Sequence, residues 1–364
     1  MSNKSRIASL DPGTMFLQTA ELQEDGSVSL KSIRNAFVEV QATEDIEDIL
    51  KQNSWHYVKD GDQYFVIGED ALKVARMFPN KVTLRRPMQD GVLNKGEEKK
   101  MLIMAELIDS ALGKAPDKNS VVCTCVSSES ADESADSQFH SARLEGMLER
   151  NGWNVKVIEE GLGIILSERP VVIDEDGKEY PYSGIGISFG AGRTNCVLAY
   201  KGLSVVGASV ARSGDWIDKQ VSTQTGTDIA QVTAKKEREL DFDNLNSDDD
   251  VIFALDVYYT AMIKYVIGII AKKFMKVRSE FDAPLDIVVA GGTSMPKGFC
   301  NKLKKVISDL TLPFEIKDVK RASEPRNAVV KGCLTQAIAT QKKLVKNKGK
   351  AAPKVEKEEV EEEI

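Results

Sequence analysis

The sequence predicts an α/β fold made of two duplicated domains with a ligand cleft between them. Three stretches far apart in the chain carry that prediction: IASLDPGTMFLQTA (7–20), IGISFGAGRTNCVLAYKG (185–202) and DIVVAGGTSMPKGF (286–299). Each is an apolar run of strand character that breaks into a turn of Gly with Ser, Thr or Asp. The first two resume as a second strand and read as hairpins, whereas the third is expected to pass into a helix at Pro296 and Lys297. Glycines let backbone N–H groups approach an anion closely and hydroxyls add donors, so two facing hairpins can hold a polyphosphate from both sides. Two hairpins of one plan, each heading an α/β half, suggest a duplication with the ligand between the copies.

A chain of 364 residues has room for roughly two domains. Its 42% apolar and 29% charged content is that of a soluble globular protein. A net charge of −7 argues against direct nucleic-acid binding, which needs a basic field. Five cysteines, an odd number, fit a reducing, cytoplasmic compartment better than a disulfide framework. Cys123 and Cys125 lie on one face of a strand and read as small buried hydrophobes. His56 and His140 lack the Cys or His company of a zinc site, and no G-x-S-x-G turn supports a serine hydrolase. The first residues lack the apolar core of a signal peptide. The apolar stretch 251–277 is interrupted by Asp256, Lys264, Lys272 and Lys273, so it reads as a buried helix rather than a transmembrane segment.

After the first hairpin, 26–68 alternates short strands and turns with a weak apolar pattern from Gln41 to Asp60, as in a small exposed subdomain. The stretch 64–78 reads as strand, turn and short helix, and Pro87 and Asp90-Gly91 punctuate the next segment. Met101, Ala105, Ile108 and Leu112 share one face of a helix from about Gly96, which Gly113 ends. The strand SVVCTCVS leads through SESADESADS, expected to be a solvated acidic loop, into a helix over 138–150. WNVKVIEEGLGIILSE is a strand running into another helix. Alternating strands and helices are the α/β order. A polar hairpin or linker over 172–184 marks the boundary between halves. Then come the second hairpin, the strand LSVVGASV, a turn at Ser213-Gly214-Asp215 and a helix, a helix capped by Thr227 or Asp228, an acidic turn and the long helix. Ser323-Glu324-Pro325 starts a last helix over 325–342. Beyond it a basic block gives way to an acidic one with few large apolar residues, a disordered composition.

In this order the motifs resemble the actin superfamily. Its D-x-G-T/S hairpin is similar to Asp11-Pro12-Gly13-Thr14, and the R-P-x-x-D-G-V segment of bacterial actins such as MreB and MamK to Arg86-Pro87-Met88-Gln89-Asp90-Gly91-Val92. A preceding V-G-E-x-A resembles Ile67-Gly68-Glu69-Asp70-Ala71. The second hairpin, D-x-G-x-G-T-T in the family, corresponds to Ser188-Phe189-Gly190-Ala191-Gly192-Arg193-Thr194. The adenosine-side turn resembles Gly291 to Gly298, including Gly292 and Met295, and a Lys-Glu pair near the ribose is matched by Lys236-Glu237. The resemblance covers about residues 7 to 340. It implies an actin-like ATPase fold of two RNase H-like domains: 1–170 with a small inserted subdomain at 34–85, and 171–320 with a helical one at 211–283. A C-terminal helix at 321–344 would return to the first domain, and a charged tail would occupy 345–364.

What the resemblance implies chemically is Mg-ATP, or GTP, held between the domains. Asp11 would orient the hydration shell of Mg2+. Gly13, Thr14, Gly190, Gly192 and Thr194 would face the phosphates, and Gly291, Gly292 and Met295 the nucleoside. In MreB-like proteins a Glu in I-E-E-P holds the attacking water, and Val157-Ile158-Glu159-Glu160-Gly161 fits, with Glu160 in that role and Glu159 turned to solvent. Ser188 stands where the family has Asp and cannot supply that charge, so hydrolysis is expected to be slow or lost while binding survives. Arg193, where the family often has Thr or Val, would put a positive charge by the phosphates or face solvent. Glu237 would accept from a ribose hydroxyl, though a solvated KKERE helix face fits the charge pattern equally. The implied function is a prokaryotic actin-like cytoskeletal filament protein, its partner a second copy of itself and a cargo the sequence leaves open. The alternative is a nucleotide-regulated adaptor of the same fold that neither polymerises nor turns over.

Overall fold

In the computed structural model, which describes residues 5–93, 98–132, 137–276, 283–310, 312 and 315–350, the first hairpin is β1 (Ile7–Pro12) and β2 (Phe16–Leu22), antiparallel with Asp11 opposite Gln18. Ala8, Leu10, Leu17 and Ala20 are wholly buried, which seats this hairpin at the centre of a sheet. β3 (Val28–Arg34) extends it antiparallel on one side. β9 (Val121–Val126) and β10 (Asn154–Glu159) extend it in parallel on the other, giving the order β10-β9-β1-β2-β3.

The second half repeats this plan. β13 (Gly184–Phe189), β14 (Thr194–Tyr200) and β15 (Leu203–Val210) are antiparallel, β16 (Leu285–Ala290) and β17 (Ile316–Arg321) run parallel, and the order is β15-β14-β13-β16-β17. Asp11 and Ser188 are each the penultimate residue of the central strand.

Each sheet carries an insertion after its third strand. In the first half it is β4 (Phe37–Gln41), α1 (Glu44–Gln52), β5 (Tyr57–Asp60), β6 (Gln63–Ile67) and α2 (Gly68–Met77), around a core of Val38, Leu50, Tyr64, Val66, Ala71 and Val74. Helix α1 replaces the strands and turns expected there. Ile46 and Leu50, one turn apart, face the subdomain core, and the helix start is set by Thr43, whose hydroxyl accepts from the Ile46 N–H. The short hairpin β7 (Met88–Gln89) and β8 (Val92–Leu93) precedes α3 (Glu98–Leu112) and α4 (Ser137–Arg150), which cover the first sheet.

In the second half the insertion is α6 (Gly214–Thr225), α7 (Ile229–Arg238) and α8 (Asp250–Phe274), with Asp228 capping α7. By length and composition α8 could cross a membrane, yet Leu255, Tyr259, Met262, Ile263 and Val266 sit in the core of this half. The small hairpin β11 (Val171–Ile173) and β12 (Glu179–Pro181) lies between the halves in sequence.

Two helix starts differ from the sequence reading. After Gly291 the chain makes a single 3-10 turn at Gly292–Ser294, and α9 (Phe299–Ser308) begins only after Gly298 takes a left-handed conformation. The last helix, α10 (Ala328–Lys350), starts beyond Pro325, whose carbonyl instead accepts from the Gly291 N–H. It also continues through the first residues of the expected tail; residues 351–364 lie outside the described residues.

The halves are joined by α5 (Glu160–Glu168) and α10, which share a core with Val197 and Ala199 of β14 and Val288 and Ala290 of β16. Their approach leaves no room for side chains. A methyl built on Gly332 would overlap the Gly163 carbonyl oxygen, and one on Gly161 would lie 2.8 Å from the Gly186 carbonyl oxygen of β13. Gly332→Ala is therefore expected to lower the unfolding free energy by about 3 kcal/mol in denaturant titration. Gly268→Ala, where an added methyl in α8 meets open space, should instead raise it by up to about 1 kcal/mol.

Candidate functional site

The two hairpin turns meet across the gap between the halves. A Cβ placed on Gly192 would lie 2.7 Å from the Thr14 hydroxyl and 2.7 Å from the Gly91 nitrogen, so the second turn rests against both the first turn and the segment before β8. The first turn is pinned from behind by buried Asn35, whose Nδ2 donates to the Gly13 carbonyl at 3.0 Å. In the second turn the Gly190 N–H donates to the Arg193 carbonyl at 3.0 Å. The Gly190 carbonyl accepts from Ser213 Oγ and Thr293 Oγ1, each at 2.6 Å, and Thr194 Oγ1 donates to the Arg212 carbonyl at 2.9 Å. Thr293 belongs to the 3-10 turn, so the third glycine stretch is tied to the second. Gly291 holds φ at 90° against the Phe189 carbonyl, Gly292 beside it is exposed with nothing over its Cα, and half-buried Met295 closes the turn.

At the mouth of this arrangement Asp11 stands next to last in β1 and Glu160 opens α5. Burial pushes the Glu160 carboxyl up to about 8, with repulsion from Asp11 adding to it and the Ser188 hydroxyl and Arg193 opposing it. Burial likewise raises Asp11 to about 6, against a hydrogen bond from Cys125 Sγ at 3.5 Å. Asn195 Nδ2 donates to Glu160 Oε2 at 2.6 Å. Two neighbouring carboxyls that resist ionisation are a donor set that a divalent cation fits. Among the described residues no group of three or more His, Cys, Asp and Glu could hold a metal.

The structure bears on four expectations. Arg193 does not face solvent. It is 2% exposed, and its guanidinium donates to the Asp90 carbonyl at 3.0 Å, Ser130 Oγ at 2.8 Å, Asp132 Oδ1 at 3.3 Å and Ser209 Oγ at 3.3 Å. The start of the acidic loop after β9 is not solvated: Ser128 is buried, and Ser209 of β15 donates its N–H to the Glu129 carbonyl and accepts from the Ala131 N–H. This strap from the first half forms a single parallel bridge, Ser130 to Ser209, on the edge of the second; its continuation at 133–136 lies outside the described residues. Glu159 turns toward β15, where it accepts from Ser204 Oγ. Lys236 and Glu237 part company, because consecutive helical residues point about 100° apart. Lys236 is buried and donates to Asp218 Oδ2 at 2.8 Å, while Glu237 is exposed.

Sequence reasoning missed Asn35, Asp218 and Asn195, and saw Ser213 only as a turn residue, because their partners lie in other segments. Arg86 was legible as a motif residue, but its ion pair with Asp215 at 2.6 Å, a second tie between the halves, was not.

Because the folded Glu160 carboxyl titrates above its usual 4.5, the stability it contributes is complete below that value and lost as pH rises through about 8. Glu160→Gln should therefore melt with the wild type at pH 4 and progressively above it toward pH 8.5, read by calorimetry without ligand. Arg193→Met, which strands Asp132, should cost about 3 kcal/mol in the same denaturant titration.

No curated protein matches the sequence. Among solved structures, the fold is similar to one described as a MamK double helical filament, with TM-score 0.66 and 18% identity over 92% of this chain and 99% of that one. It is also similar to MreB 5 of Spiroplasma citri bound to AMPPNP, with TM-score 0.63 and 15% identity over 95% of this chain and 99% of that one. The same protein bound to ADP gives TM-score 0.60 and 15% identity over 94% and 99%. These likenesses show a bacterial actin-like fold. A family model described as Volactin matches residues 7–337, nearly the whole folded part, and the chain belongs to the Volactin family.

Proposed function

We propose that the protein binds a magnesium nucleoside triphosphate, ATP or GTP, between its two halves and assembles with copies of itself into cytoplasmic, cytoskeletal filaments. The observation that carries the reading is the meeting of the two hairpin turns at Thr14 and Gly192 with the Asp11 and Glu160 carboxyls beside them. Backbone N–H groups of the turns would cradle the phosphates, and Asp11 would stand toward Mg2+, which supplies charge neutralisation when bound. Glu160 would orient the attacking water, and Gly292, open on one side, would lie along the nucleoside with Met295. Lys236, paired with Asp218, and the exposed Glu237 would lie toward the ribose side. The neighbouring MreB 5 structures contain AMPPNP and ADP, and the MamK one is a filament, which supports the reading by fold. Binding that favours one arrangement of the halves would favour head-to-tail contacts, and contacts of that kind propagate as open filaments.

A second reading, a nucleotide-regulated adaptor that neither polymerises nor hydrolyses, is favoured by one observation. Ser188, buried opposite Asn195, offers Glu160 a hydroxyl where a carboxylate would help hold the metal.

Sedimentation and electron microscopy with ATP, GTP or no nucleotide, each with Mg2+, separate the two readings. Filaments that need nucleotide are expected. A protein that binds neither nucleotide by calorimetry ends both readings, and one that binds but never pellets leaves the adaptor. Asp11→Ala should weaken triphosphate binding in Mg2+ by roughly tenfold or more, with little loss of thermal stability because it relieves the crowded carboxyl pair.

A further inference from the structure

The turn between β13 and β14 is held by the start of a helix that follows it in the chain. Helix α6 opens at Gly214 with Ser213 as its N-cap, extended and wholly buried. A serine in that place ordinarily accepts from a backbone N–H of the first helical turn, and Ser213 does not. Its hydroxyl donates instead to the Gly190 carbonyl at 2.6 Å. The Gly214 N–H at 3.2 Å and the Thr293 hydroxyl at 2.6 Å converge on the same oxygen. The next N–H of the helix, that of Asp215, donates to the Ala191 carbonyl at 2.8 Å. Two donors of a helix start, of the kind that can take an anion directly, are therefore occupied by two carbonyls of the turn.

Those carbonyls fix the groups on the far side of their peptides. In a trans peptide the C=O of one residue and the N–H of the next point in opposite directions, and the chain has no cis peptide among its described residues. With the Gly190 and Ala191 carbonyls drawn toward α6, the Ala191 and Gly192 N–H groups point away from it. Among the described residues neither has a hydrogen-bond acceptor, whereas the Gly190 N–H before them is taken by the Arg193 carbonyl. Gly192 itself borders Thr14 of the first turn.

We propose that Ser213 and Thr293 are positioning residues for phosphate recognition, fixing the Gly190 peptide so that the turn presents the Ala191 and Gly192 N–H groups to the ligand. The inference rests on the reading that a triphosphate lies against this turn. A carbonyl that accepts hydrogen bonds makes the N–H across its peptide a better donor, and the positive end of α6 acts in the same direction. The effect is to carry the anion-attracting end of the helix one peptide further out. Space at the junction is tight, since a methyl on Gly214 would come within 2.5 Å of Thr293 Oγ1.

The test uses the full chain labelled with 15N at alanine and glycine, titrated with ATP and with GTP in Mg2+. Affinities come from calorimetry, and the Ala191 and Gly192 amide signals are followed by NMR with and without ligand. Wild type is compared with Ser213→Ala, the isosteric Thr293→Val, and Ser213→Thr, which keeps the hydroxyl. Loss of either hydroxyl should weaken triphosphate binding by roughly threefold to tenfold. It should also move the two amide signals in the ligand-free protein and shrink their response to ligand, and Ser213→Thr should recover most of both. Affinities and amide signals unmoved in Ser213→Ala and Thr293→Val overturn the proposal, even if melting temperatures fall. Should Ser213→Ala not fold, Thr293→Val decides alone. A wild type that binds neither nucleotide overturns the functional reading instead, and the ligand-free amide signals then still decide whether the hydroxyls orient the turn.

Discussion

The protein depends on a place where it has no side chains. Helices α5 and α10 approach so closely at Gly163 and Gly332 that a methyl on either would meet the other's backbone, and Gly161 is pressed equally hard against Gly186 of β13. The contact sets the height of α5 between the two sheets, and so decides where its first residue, Glu160, stands. One turn of sliding along the helix would carry that carboxyl about 5.4 Å from Asp11. Interiors pack too densely for such a slide to go unnoticed by the shared core of Ile164, Ile165, Val197 and Val329.

A second set of ties spans the halves at a different level. Arg193 reaches from the second hairpin to the Asp90 carbonyl and the Asp132 carboxylate, Arg86 reaches the other way to Asp215, and the strap at Glu129 to Ala131 pairs with Ser209 of β15. The buried Arg193–Asp132 pair adds little net stability compared with apolar packing, but breaking it strands a charge. Arg193, fully enclosed and satisfied on each side, specifies how the halves sit together more than it strengthens them. The carboxyls it overlooks are balanced differently. Asp11 and Glu160 are held near each other without enough compensating charge, which is the condition under which an incoming cation gains most.

Much of the architecture was legible because its signals are local. The hairpins at 7–20 and 185–202 show as apolar alternation broken by glycine, and they sit at the centres of two sheets of the same order. The long buried helix, the β10-to-α5 passage and the Asp228 cap were equally readable. Helix α1 was missed although Ile46 and Leu50, one turn apart, mark its buried face and Thr43 its start. The starts of α9 and α10 were misplaced because Pro296 and Pro325 resemble helix openings. In the structure the Pro296 carbonyl accepts from Arg321 and the Pro325 carbonyl from the Gly291 N–H.

At the site, the sequence by itself determined the local features: glycine and hydroxyl turns, one aspartate near a strand end, one glutamate at a helix start. Those are properties of a few adjacent residues, and the chain carries them wherever it goes. Tertiary structure alone decided that Arg193 would be a buried tie rather than a free charge, that Lys236 would turn inward and Glu237 outward, and that Asn195 would grip Glu160. The reason is that burial and pairing belong to segments brought together from distant parts of the chain, and the partner of a polar side chain cannot be read from its neighbours in sequence.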